Sequence, residues 1–216
     1  MLEPLVIWGA SGHALVVADI VRLGGKYEIA GLLDDVGLDR RGAEFAGSTV
    51  LGGREQLDAL YDGGTNHLIV AIGDCEARLQ LAELARSKGF HLATAIHPRA
   101  IIAGAVSIGA GSVIAAGAII NPGCRIGENV IVNTGATVDH ECVIGDGVHI
   151  GPGAHLGGRV EVGRASWVGI GATVIHQVRI GAGTIIGAGA VVVSDIPDNV
   201  VAYGVPAKVV KGRNNG

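Results

Sequence analysis

A chain of 216 residues, 49% of them hydrophobic and with a mean hydropathy of +0.46, has room for one or two packed domains and excludes disorder. Aromatic residues make up only 3% while glycine occurs 37 times, which excludes a core of interlocked rings and demands thin layers of small aliphatic side chains. Sixteen basic against twenty acidic residues give a net charge of −4 with no Lys/Arg cluster, which excludes a nucleic-acid partner.

The opening MLEPLVIWGAS is acidic where a signal peptide is basic, and no long apolar run follows, so a cytoplasmic protein with no membrane partner is expected. Cys75, Cys124 and Cys142 form no CxxC pair and leave an odd count, which predicts reduced, packed thiols and no metal site.

In chain order, LVIWGASGHALVVADIVRLGG predicts a buried strand, a glycine turn at Gly9 to Gly12, and a helix ending at Gly24 and Gly25. EIAGLLDD is a second strand ending in Asp34 and Asp35; LIVAIGD and the helix EARLQLAELARSKG complete a Rossmann-like α/β domain over residues 1–92. GASGHA lacks the third glycine of a dinucleotide fingerprint, yet a glycine turn entering a helix still offers backbone N–H groups to phosphate. The alternative is a tight turn with no ligand. The two aspartates favour a nucleotide, because acidic residues at a strand's carboxyl end accept hydrogen bonds from ribose or base. His13, inside the turn, either packs on the loop or touches substrate.

From Ile96 to Pro197 the sequence divides into seventeen uninterrupted hexads. Their first slot is aliphatic throughout, from Ile96, Ile102 and Ile108 to Ile186 and Val192; their fifth is small or β-branched, and both are expected to face inward. Glycine fills the second or fourth slot of most hexads, where the backbone has to bend. Neither a helix nor a free strand has a period of six, so the pattern predicts a three-sided parallel β-helix over residues 93–197. Residues i and i+18 then stack at about 4.8 Å, and the prism stands roughly 27 Å tall. Parallel crossovers are normally right-handed, so periodicity by itself does not set the hand. Residues 198–216 leave the register and are expected to cap the open end.

Among the hexads from Ile108 onward, those starting at Val138, Val174 and Val192 lack a small residue in both corner slots. The first reads VDHECV and sets His140 between Asp139 and Glu141. An imidazole titrates near 6.5, and a carboxylate on one ring nitrogen fixes its tautomer, so this corner is a candidate general base. His176 lies in the same column two coils on and reads as a surface residue; His149 and His155 occupy the sixth slot on successive sides.

The pattern [LIV]-G-x-x-[small]-x resembles the hexapeptide-repeat transferases, whose β-helices are left-handed, trimerise and bind acyl-CoA between neighbouring prisms. GASGH, LLDD, AIGD, IHPRA, NTGATVDHECVIGDGVHIGPGAHLGG and YGVPAK, in that order, resemble the PglD/NeuD family of sugar acetyltransferases. The resemblance implies acetyl transfer from acetyl-CoA to the amine of a nucleotide-linked sugar, commonly a UDP-linked 4-amino-4,6-dideoxy sugar, by direct attack in a homotrimer. It implies His140 as base and Glu141 as its activating carboxylate. For the sugar nucleotide it implies Ser11, Gly12, His13, Asp34, Asp35 and Gly73, with Asn133 helping to hold the sugar. For acetyl-CoA it implies His149, Ile170, Gly187 and Ala188, the last standing where the family has glycine. Three alternatives remain: O-acetylation of a sialic-acid-type sugar, a three-histidine zinc carbonic anhydrase, and a non-catalytic trimeric sugar-binding protein.

Overall fold

A computed structural model describes residues 2–213; Met1 and residues 214–216, the end of the expected capping tail, lie outside the described residues. The chain forms two compact units, Met1–Pro98 and Arg99–Gly216.

The first unit is built on β1 (Glu3–Trp8), whose Leu5, Val6, Ile7 and Trp8 are buried almost completely, as an uninterrupted apolar run in a parallel sheet has to be. Helix α1 (Gly12–Gly24) follows with a buried stripe of Ala14, Val17, Ala18 and Val21 at helical spacing, and stops at Gly25, which takes a φ of 64°. The chain continues through β2 (Tyr27–Leu33), a short hairpin of β3 (Glu44–Phe45) and β4 (Ser48–Gly52), and α2 (Leu57–Asp62). It ends with β5 (His67–Val70), α3 (Cys75–Ser87) and β6 (His91–Leu92). Asp74 caps α3 by accepting a 2.8 Å hydrogen bond from the Ala77 amide. Sheet order is β3-β4-β2-β1-β5-β6, parallel except for the β3–β4 hairpin. The chain leaves β1 first toward β2 and later returns to its other side at β5, so the order reverses at β1, and such reversals open ligand crevices at carboxyl strand ends.

The second unit is a left-handed parallel β-helix. Its strands are two residues long and recur every six residues, as in Val113–Ile114, Ile119–Ile120 and Arg125–Ile126, one on each of three faces. Pairing runs from residue i to i+18 without a slip: Ile131 with His149, His149 with Trp167, Trp167 with Ile185. The first-slot residues Ile114, Val132, Ile150, Val168 and Ile186 and the fifth-slot residues Ala118, Cys124, Ala136, Cys142 and Ala154 are fully buried, each aliphatic one contributing about 1.5–3 kcal/mol where it is as large as Val or Ile. Ile96, ahead of the first full coil, is instead 40% exposed. Gly145 shows why corners want glycine: a Cβ there would lie 2.8 Å from the Arg164 amide nitrogen on the next coil. After the last hexad, Val200–Gly204 pairs with Ile185–Ile186 and turns back antiparallel as Ala207–Gly212. No helix among the described residues is long and apolar enough to cross a membrane.

Candidate active site

In the first unit a cavity of about 610 Å³ opens at the carboxyl ends of β1 and β2, within the range of small-ligand sites. Trp8, Leu33, Ile72, Leu81 and Leu84 supply its apolar lining, and Ser11, Asp34, Asp35, Arg40 and Arg54 its polar lining. Both aspartates already hold cations. Asp34 Oδ2 accepts from Arg40 at 2.9 Å, while its Oδ1 accepts from the amides of Val36 and Gly37. Asp35 Oδ2 accepts from Arg54 at 2.9 Å and from the indole of Trp8 at 3.2 Å. The cavity thus offers fixed guanidinium donors beside carboxylate acceptors, over an apolar floor.

Ser11, Asp34 and Asp35 line this cavity; Gly12, His13 and Gly73 do not. Gly12 is the first residue of α1. Gly73 presents its carbonyl to the buried Arg78, which donates to it and to Ile72 at 3.0 Å. His13 is held down to about 4 by burial, with the positive charge of Arg78 adding to the effect, so its imidazole is neutral at pH 7.

In the second unit the predicted residues fall on two successive corners, with the face carrying Thr137 and His155 between them. At the first, His149 is only 6% exposed and stacks on Trp167 one coil later, ring centroids 5.0 Å apart and nearly parallel. Asn133 uses its Oδ1 to accept from the Thr134 amide, so its Nδ2 donates to His149 Nε2 at 3.1 Å, which leaves the His149 proton on Nδ1. Ile170, 59% exposed, and Ala188 lie on adjacent coils of this corner, where the Gly189 amide donates to the Ile170 carbonyl. Gly187 stands beside Tyr203, which a Cβ on the glycine would meet at 2.7 Å. His155 faces Thr137 on a different side from His149, so these two histidines do not converge on one ion.

At the next corner His140 is half exposed, its Nδ1 3.0 Å from Glu141 Oε2. An ionised carboxylate only accepts, so Nδ1 carries the proton and Nε2 is the basic atom. Arg159, one coil on, donates to the same Oε2 at 3.0 Å. Bonds from His140 and Arg159 hold the Glu141 carboxyl below the usual carboxylate range. Asp139 does not reach the ring: it accepts from the His140 amide at 2.7 Å and from Asn121 Nδ2 at 2.8 Å, and these two bonds lower its pKa. The imidazole lies over Gly158, where any Cβ would overlap it. Cys124 and Cys142 face inward as free thiols, burial pushing Cys142 up to about 12.

Sequence reasoning missed Arg40, Arg54, Asn121, Arg159 and Trp167. Three of these are readable from the stacking rule: Asn121 is Asp139 minus 18, Arg159 is Glu141 plus 18 and Trp167 is His149 plus 18. Arg40 and Arg54 carry no such signal, since each sits on a short 3₁₀ turn whose place is set by tertiary packing.

Comparison with family models matches residues 4–85 to the PglD N-terminal domain and residues 123–158 and 159–194 to the bacterial transferase hexapeptide (six repeats). A search of curated proteins finds no match. Among solved structures the chain is similar to PerB from Caulobacter crescentus in complex with CoA and GDP-perosamine, at 43% identity and a TM-score of 0.92, over 98% of this chain and 99% of that one. It is similar to the acetyltransferase domain of PglB from Neisseria gonorrhoeae at 40% identity and 0.91, over 96% and 100%. WeeI from Acinetobacter baumannii aligns at 27% identity and 0.87, over 96% and 100%.

Proposed function

The chain belongs to the PglD/NeuD family of sugar N-acetyltransferases built on hexapeptide repeats, and we propose that it transfers acetyl from acetyl-CoA to the amine of a nucleotide-linked 4-amino-4,6-dideoxy sugar, with His140 as general base. The observation that carries this reading is the His140–Glu141 pair on a solvent-facing corner, its Nε2 the proton-accepting atom. The sugar amine attacks the thioester carbonyl carbon while Nε2 takes the amine's proton; the C–S bond then breaks and the CoA sulfur leaves with that proton. No acyl-enzyme is needed, which agrees with the buried, inward-facing thiols.

The acceptor's nucleotide fits the cavity of the first unit, with Arg40 and Arg54 toward its diphosphate and Ser11, Asp34 and Asp35 toward ribose and base; Gly12 and His13 open α1 beside it, and Gly73 lies in the turn before α3. Acetyl-CoA runs along the corner of His149, Ile170, Gly187 and Ala188, with Asn133 beside it. Because that corner and the His140 corner lie a full face apart on one prism, a homotrimer completes the site by apposing two copies. A cytoplasmic protein is consistent with three reduced cysteines.

UDP is the expected nucleotide; a GDP-linked amino sugar is the second reading, favoured by the similarity to PerB in its complex with GDP-perosamine. Incubation with acetyl-CoA and UDP- or GDP-linked 4-amino sugars, followed by mass spectrometry, is expected to give an N-acetylated nucleotide sugar. Acetylation confined to a hydroxyl, or no product with either nucleotide, contradicts the proposal.

A further inference from the structure

Glu141 and Arg159 share an unusual backbone. Both take left-handed φ values of +59°, a region that glycine enters freely and L side chains rarely do. At the preceding corner the equivalent position is glycine in five successive coils: Gly117, Gly135, Gly153, Gly171 and Gly189. Glu141 and Arg159, like Gln177 on the coil after them, thus carry side chains where the preceding corner has glycine, so it is the contacts of their side chains and not their backbone that single them out. Those side chains meet, Arg159 Nε and His140 Nδ1 converging on the one Oε2 of Glu141 at 3.0 Å each. With both donors on one oxygen, the carboxylate cannot rotate without losing both bonds. By itself, a half-exposed glutamate samples several rotamers.

We infer that Arg159 is a positioning residue for the base: from the next coil its guanidinium pins the Glu141 carboxylate against His140 Nδ1, which keeps the ring proton there and leaves Nε2 as proton acceptor. The inference rests on the proposed acetyl transfer for its consequence and on geometry for its cause. Other charged groups near the ring do not perform this task. Asp139 is turned to Asn121 and to the His140 amide, and His176 lies two coils from His140 in the same column. Gly158 completes the arrangement by leaving room for the imidazole.

The test is ¹⁵N NMR of histidine-labelled protein, comparing wild type with Arg159→Gly and Arg159→Lys. Glycine suits the left-handed corner, so the first variant is expected to fold with an unchanged melting temperature. Wild type should show His140 as the Nδ1–H tautomer, Arg159→Gly a mixture with the Nε2–H form, and Arg159→Lys a partial return. In parallel, Arg159→Gly should lower kcat roughly tenfold while both KM values stay within about twofold. An unchanged His140 tautomer in Arg159→Gly overturns the inference, whatever happens to activity. A raised acceptor KM with that unchanged tautomer would make Arg159 a substrate contact instead. The NMR readout needs no turnover, so a protein that acetylates no amino sugar would refute the proposed function and still decide this point.

Discussion

The β-helix carries its candidate chemistry on exposed corners of a core built from one repeated pattern, whereas the N-terminal unit draws charged side chains into a cavity between unlike elements. On the prism, Val138, Cys142 and Val160 fix the backbone from inside, and His140, Glu141 and Arg159 project from it. In the first unit, Asp34 and Asp35 leave the end of β2 and are held by Arg40 from a 3₁₀ turn and Arg54 from another. A repeat supplies rigidity at no cost to its surface, so corner residues are free to be chemical. An α/β crevice has to assemble its polar groups from separate loops, and its site is coupled to its folding.

The largest effect is expected at the corner base: His140→Ala should lower kcat/KM by roughly 10²–10⁴-fold while the melting temperature stays put, because the side chain packs against nothing in the core. A large fall in stability would show that the corner is structural. The next concerns the first unit. His13 is held down to about 4 in the folded protein, whereas an unfolded histidine titrates near 6.5, so below that pH the unfolded chain binds the extra proton. Stability therefore falls as pH drops from about 6.5 toward 4, by on the order of 3 kcal/mol. Urea unfolding of wild type and His13→Gln across this window checks it; parallel pH profiles would refute the burial argument.

A smaller effect is expected from Gly158→Ala, whose new methyl group would occupy the space of the His140 ring. Activity should drop about 10–100-fold with near-native unfolding, since a displaced base loses alignment and the φ of Gly158 is not left-handed. Activity within twofold of wild type would mean that the ring moves without consequence. The smallest is Arg54→Ala, which should raise the acceptor KM about tenfold, the worth of one charge-assisted bond, and leave the acetyl-CoA KM unchanged. The reverse pattern would place the nucleotide elsewhere.

Much of the β-helix was legible because its rule is local and periodic: the aliphatic slot from Ile102 to Val192 names the inward face, and the i+18 stack names every neighbour. The same rule, carried to Glu141 and His149, would have exposed Arg159 and Trp167. In the first unit β1, α1, β2, β5 and α3 were legible, since LVIW, ADIVRLGG and EARLQLAELARSKG are local signals, whereas β3, β4, α2 and β6 are too short to carry one. Its cavity was not legible, because the pairing of Asp34 with Arg40 and of Asp35 with Arg54 depends on tertiary placement of short 3₁₀ turns. The glycine turn pointed at Ser11, Gly12 and His13 together, but only Ser11 reaches the cavity lining. His13 is buried instead, within electrostatic reach of Arg78, a long-range neighbour that no motif announces.

On the proposed function, the first unit recognises a nucleotide while the prism performs acetyl transfer. The most direct test is the rate of CoA thiol release from acetyl-CoA when the amino sugar is offered with its nucleotide and as the free sugar. Release should be rapid with the nucleotide-linked amino sugar, with a loss of kcat/KM of at least about a hundredfold without the nucleotide. Equal rates with both forms would contradict it.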